Sequence, residues 1–208
     1  MKIGRQEHRS SAISTSNAET IVVRGRDLAG ELVGSIGFSE HFWLLLTGSL
    51  PSAAQLRVLD ATLVAIAEHG LVPSVQAARM TLAAAPEALQ GAVAAGILGC
   101  GSVVLGSAEA AGRLFAEIQT RAAGGSLREA ALAVLREYRA AKRAIPGYGH
   151  PLHKGRDPRA LRLFAVAKET QTCGQHAEIA GLIEELLDQK STRLNSSHKG
   201  TSRMPSSA

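Results

Sequence analysis

Aromatic residues are scarce in this chain: four Phe, two Tyr and one Trp among 208 residues. A β-sandwich or barrel uses aromatic and β-branched side chains to fill its pleated faces, so their scarcity points away from both. It also removes the stacking platform on which single-stranded nucleic acid is held. Cysteine is almost absent, with Cys100 and Cys173 alone. With no signal peptide at the start of the sequence, that argues against a disulfide framework and for a reducing cytoplasm. Acidic residues are missing from one segment, residues 190–208, "KSTRLNSSHKGTSRMPSSA". Its Lys190, Arg193, Lys199 and Arg203 account for all but one of the five net positive charges. The basicity is therefore local, and nucleic acid is discounted as a partner.

What is there is alanine, leucine, valine and isoleucine at helical spacing. Residues 38–47 read as a helix closed by Gly48, and Ser52 with Gln55 is a capping-box pair opening another that Gly70 stops. Leu56, Leu59, Leu63 and Ile66 fall on one face of it. A helix begins near Pro73–Ser74. Ser126 with Glu129 caps the clearest helix, whose apolar stripe is Leu127, Ala130, Val134, Leu135 and Tyr138. Asp157 and Pro158 are an N-cap and first-turn proline for the next, and a last helix covers 176–188. "TIVV", residues 20–23, suits a short strand, yet nothing downstream offers a partner of similar length. With neither repeats nor a strand–helix rhythm, the fold class is all-α.

Residues 88–108 carry no charge, a length sufficient to span a bilayer. Five glycines dilute the run and no second span accompanies it, so a buried helix meeting another backbone closely, or a subunit contact, is the better reading, and no membrane partner is expected. Within it, "GILGCGSVVLG" lacks the spacing of a dinucleotide glycine loop.

"IPGYGHPLHKGRDPRA", residues 145–160, departs from all of this. Gly147 and Gly149 free the backbone to bend and approach a ligand, and Pro151 stiffens the frame that presents His150. Lys154, Arg156 and Arg159 supply cations, with Arg159 in the first turn of the following helix. A helix start with cations and an imidazole is a site for carboxylate or phosphate beside a titratable group. Zinc is the rival, through His150, His153, Cys173 and His176, but His-Pro is not helical and no tight second pair completes a tetrahedral set, so no metal is expected. His69, by position alone, is a helix C-terminal histidine.

The G-Y-G-H and D-P-R elements resemble the signature loop of the citrate synthase family. "TIVVRGRDLAGEL", with Val23, Arg24 and Gly25, "FSEHFWLLLTGSLPSAAQL" and "AEHGLVPSVQAAR" resemble further family segments in the family's order, so the likeness runs over about residues 10–188. It implies an all-α, two-domain citrate-synthase-like fold, with a large, dimer-forming domain at residues 1–110 and a small domain at 111–189. A homodimer acting on acyl-CoA and a tricarboxylate or oxaloacetate is implied, with coenzyme A thioester as substrate and no permanently bound cofactor. Position by position, the resemblance makes His150 and His69 catalytic and Arg159 the holder of a citrate carboxylate. Pro146, Gly147, Tyr148 and Gly149 become the loop along the adenine of coenzyme A, and Lys154 the cation near its phosphates.

The departures narrow the reading. Where synthases carry a second histidine, "GSVVLGSAEAA" has Val104, which cannot hydrogen-bond an enolate, and His69 is followed by Gly70 rather than glutamate. Both resemble the citryl-CoA lyase branch, so cleavage of citryl-CoA to acetyl-CoA and oxaloacetate is expected. Citrate or 2-methylcitrate synthesis is the alternative, and a non-catalytic acyl-CoA- or carboxylate-binding homologue the one after it. The serine-rich residues 190–208 resemble translated sequencing-adapter read-through, or else a disordered terminus. A C-terminally truncated chain is therefore expected, inactive as it stands because the family's N-x-D aspartate is not reached.

Overall fold

The computed structural model describes residues 11–68, 70–101, 105–149 and 157–198, with side chains described as far as 188. His69, Val104, His150, Pro151 and Lys154 lie outside the described residues. Helices dominate, as the composition implies. The chain divides into two compact units, one of residues 1–68 with 161–172, the other of residues 69–160 with 173–208.

The first unit opens with a small antiparallel sheet in the order β1 (Ser14–Ser16), β2 (Ile21–Val23), β3 (Arg26–Asp27). The partner missed for "TIVV" is thus upstream as well as downstream. Ser14 pairs with Val23 and Ser16 with Ile21, across a turn in which Asn17 Oδ1 accepts the amides of Glu19 and Thr20 at 2.9 and 2.7 Å. β2 and β3 are joined by Arg24 and Gly25, both with positive φ, the geometry of a two-residue hairpin whose twist matches its strands. Arg24 Nε then donates to the Leu45 carbonyl at 3.0 Å, fastening the hairpin to α1 (Phe38–Thr47). Val23, Leu32 and Leu44 form the buried cluster beneath.

Gly48 closes α1 in the left-handed region, its N–H donating to Leu44 O. The Ser52–Gln55 capping box opens α2 (Ala53–Ile66) in both directions, at 2.9 and 3.2 Å. α2 stops at Ile66, short of Gly70, as helix ends commonly fray by a turn. Arg57 and Arg162 both hold Glu169, at 2.6 and 2.8 Å, tying α2 to the end of α7 (Pro158–Glu169).

In the second unit, α3 (Pro73–Ala84) and α4 (Leu89–Leu98) pack with backbones nearly touching. A Cβ on Gly96 would stand 3.2 Å from Ala78 Cβ, and one on Gly99 3.2 Å from Ser74 Cα. The close approach expected of the glycine-rich run is therefore present, but its burial is not. Only Ala92 of α4 is buried, and Leu89, Val93, Ile97 and Leu98 face outward. Periodicity reports a close-packed face; it cannot report what covers the opposite one. No helix among the described residues is long and apolar enough to cross a membrane.

The main core lies among α5 (Gly106–Arg121), α6 (Leu127–Ala140) and α8 (Gln175–His198). Leu114 and Ile118, Val134, and Ile179 and Ile183 are fully buried there. The stripe read from α6 is the buried one, with Leu127 and Tyr138 at its edges. Of the expected cap, the Ser126 half forms: its Oγ accepts the Glu129 amide at 3.4 Å. α8 runs on through residues 190–198, the start of the segment that reads as adapter read-through or else a disordered terminus. Extending a helix already nucleated adds a hydrogen bond per residue at little further cost.

Candidate active site

The turn at residues 145–149 is built by its neighbours. α6 ends at Ala140, Lys142 takes positive φ, and Arg143 donates its amide to Tyr138 O at 2.9 Å. Its guanidinium sits 4.1 Å from the Tyr138 ring centroid. The chain then reverses at Gly147 and Gly149, with φ of 82° and 91°, values that a side chain would strain. The Tyr148 amide donates to Ile145 O at 3.3 Å inside the turn. Pro146, Gly147, Tyr148 and Gly149 thus form one tight element, and His150 follows it in sequence.

Two contacts seat that element. A Cβ on Gly147 would lie 3.1 Å from Ala111 Cβ, so the turn rests against the second turn of α5. Tyr148 is half-buried against the α5–α6–α8 core, and its hydroxyl donates to Ala180 O of α8 at 2.7 Å. Burial, with the Glu184 carboxylate adding to it, pushes the Tyr148 phenol well above the usual tyrosine range, so it remains a donor.

The Gly147–Ala111 contact joins two segments far apart in sequence, the G-Y-G turn and "GSVVLGSAEAA". The start of α5 is itself constrained: Gly106 N donates to Gly101 O at 2.9 Å, and a Cβ on Gly106 would come within 2.6 Å of that oxygen. Leu105, just before it, has φ of 69°, costly for a branched side chain.

Arg159 stands in the first turn of α7, where Pro158 is the first helical residue as expected. Asp157 does more than cap. Its Oδ1 accepts the Arg159 amide at 2.9 Å and Nε at 3.1 Å, while Oδ2 accepts Nη2 at 2.7 Å. The bond to Asp157 and its charge raise Arg159 further above its already high pKa. Nη1 is engaged by no described residue, so the guanidinium is held on one edge with the other edge available to an acceptor. Sequence reading placed Asp157 as a cap and missed this fork; an aspartate two residues before an arginine at a helix start is the signal for it.

Among the described residues no group of three or more His, Cys, Asp or Glu side chains gathers to hold a metal. A depression of about 520 Å³ between the start of α6 and α8 is lined by Gly125, Ser126, Leu127, Arg128, Leu182 and Glu185, among others. It contains none of the candidate residues.

Comparison with known proteins agrees with the motif. Residues 54–201 match the family model described as citrate synthase, C-terminal domain. No curated protein sequence matches. The structure of citryl-CoA lyase from Hydrogenobacter thermophilus superposes with a TM-score of 0.76 at 34% identity, covering 88% of this chain and 69% of that one. ATP citrate lyase from Methanothrix soehngenii, in complex with citrate and coenzyme A, matches with a TM-score of 0.75 at 22% identity. A mutant ATP citrate lyase from Methanosaeta concilii, in complex with (3S)-citryl-CoA, gives 0.74 at 22%. Each of these two covers 90% of this chain, which spans 30% of theirs; at that identity they speak for the fold alone.

Proposed function

The chain belongs to the citrate synthase family, and on that premise we propose that it acts on citryl-CoA, cleaving it to acetyl-CoA and oxaloacetate. The observation that carries the reading is the likeness to a citryl-CoA lyase over 88% of the chain at 34% identity. The preformed G-Y-G turn and the oriented Arg159 support it.

In this reaction His150, with His69, takes the proton of the tertiary hydroxyl of citryl-CoA. The oxygen electrons form the ketone of oxaloacetate as the carbon–carbon bond breaks. Its electron pair passes to the thioester's α-carbon as the enolate, which an acid protonates to acetyl-CoA. The resemblance assigns that acid to an N-x-D aspartate. Arg159, fixed on one edge by Asp157, presents Nη1 to a substrate carboxylate as a charge-assisted donor. The backbone of Pro146 to Gly149 lies along the coenzyme A moiety, with Lys154 near its phosphates, and the thioester is the substrate rather than a bound cofactor.

The working form is a homodimer in the cytoplasm. Its dimer-forming part is residues 1–110, and residues 111–189 carry the loop. The free thiols Cys100 and Cys173 and the uncovered face of α3 and α4 support this.

The test gives citryl-CoA to the purified protein. Oxaloacetate is followed by NADH consumption with malate dehydrogenase, and acetyl-CoA by mass spectrometry. Equal amounts of the two are expected. Citrate with free coenzyme A would instead indicate a synthase, and tight citryl-CoA binding without products a binding protein.

A further inference from the structure

The turn that carries Gly147 and Gly149 has a single side chain between them, Tyr148, and that side chain is committed inward. Its ring packs on the core cluster of α5, α6 and α8, and its hydroxyl donates to Ala180 O at 2.7 Å, across 32 residues of sequence. Glycines at positive φ on both sides lower the strain of the bend but supply no side chain to hold it. The Gly147 backbone also lies against Ala111 of α5.

We infer that Tyr148 is a positioning residue: its hydroxyl ties the 145–149 turn to α8, fixing the backbone from which His150 follows, while the turn's backbone is what a thioester would meet. This rests on the proposed reading for its consequence in catalysis, but not for the anchor itself. A phenol whose burial keeps it protonated suits the part, because it donates at any working pH.

Tyr148→Phe keeps the ring and removes the hydroxyl. The expected result has two parts. Amide exchange in a peptide covering 145–149 accelerates roughly three- to tenfold, the range of one net hydrogen bond, while exchange elsewhere in α5 and α6 is unchanged. kcat for citryl-CoA cleavage falls by a similar factor with KM within about twofold. Unchanged exchange at 145–149 in Tyr148→Phe would overturn the inference. So would faster exchange throughout the unit, which makes the bond a general support. A silent Tyr148→Phe beside a Tyr148→Leu that raises KM would also sink it, by making the ring a ligand contact. Should the wild type produce no oxaloacetate, the functional reading fails while the exchange comparison still decides the anchor.

Discussion

Arg159 and Asp157 lie two residues apart, and the pair shows how much a short motif encodes. Asp157 faces the helix start and the guanidinium at once, so a single carboxylate both caps α7 and sets the direction of the cation. The pairing raises a pKa that already lies above any working pH, so Arg159 contributes no titration limb to activity. Its value is in geometry. Arg159→Lys retains the charge and loses the planar fork, and is expected to raise KM for citryl-CoA by about tenfold or more. Asp157→Asn turns one acceptor into a donor against the guanidinium and should raise KM by a smaller factor. Steady-state kinetics on both variants checks the order; equal KM values in Arg159→Lys and wild type would remove Arg159 from the substrate site. The fork was within reach of the sequence because both partners are local. The Tyr148–Ala180 bond was not, because nothing in a tyrosine's neighbours says which helix passes 32 residues later.

Short-range chemistry decides caps and stripes, and at several of them sequence and structure agree, although Ile66 of the expected α2 stripe is exposed and the Ser126 box forms only in half. Gly48, the Ser52–Gln55 box and the α6 stripe each depend on contacts within one or two turns. The β1 partner of β2 went unread because three exposed residues, Ser14–Ser16, carry no apolar alternation to announce a strand. Stability follows the same division between cores and faces. Ile118 of α5 is fully enclosed by α6 and α8, whereas Val64 of α2 is 79% exposed. Ile118→Ala should cost roughly 2–5 kcal/mol, the range for a buried aliphatic truncated to alanine. Val64→Ala should stay within about 0.5 kcal/mol. Urea unfolding measures both. A small loss at Ile118 would mean that the α5–α6–α8 cluster is not the unit's cooperative core.

At the scale of the whole molecule the outward face of α3 and α4 is the feature a single chain leaves unexplained. Gly96 and Gly99 let these helices approach so closely that their small residues are used up against each other. The large ones are then forced outward: Met80 on α3, and Leu89, Val93, Ile97 and Leu98 on α4. Leu89, Val93 and Ile97 recur every fourth residue, so they form one continuous apolar ridge. A ridge of this kind on a rigid hairpin suits a self-complementary, two-fold contact, in which each chain buries the same face of the other. Residues 89–98, part of the run that length alone would send to a bilayer, thus turn one face to their own hairpin and leave the other as the expected place for a second copy. Val93→Glu with Ile97→Glu places two charges on the ridge without touching Gly96, Gly99 or the α5–α6–α8 core. The wild type is expected to show the mass of two chains by light scattering, and the double variant that of one, with its helical circular dichroism retained. A double variant that stays dimeric would assign the contact to another surface, and a wild type with the mass of one chain would leave the ridge without this partner.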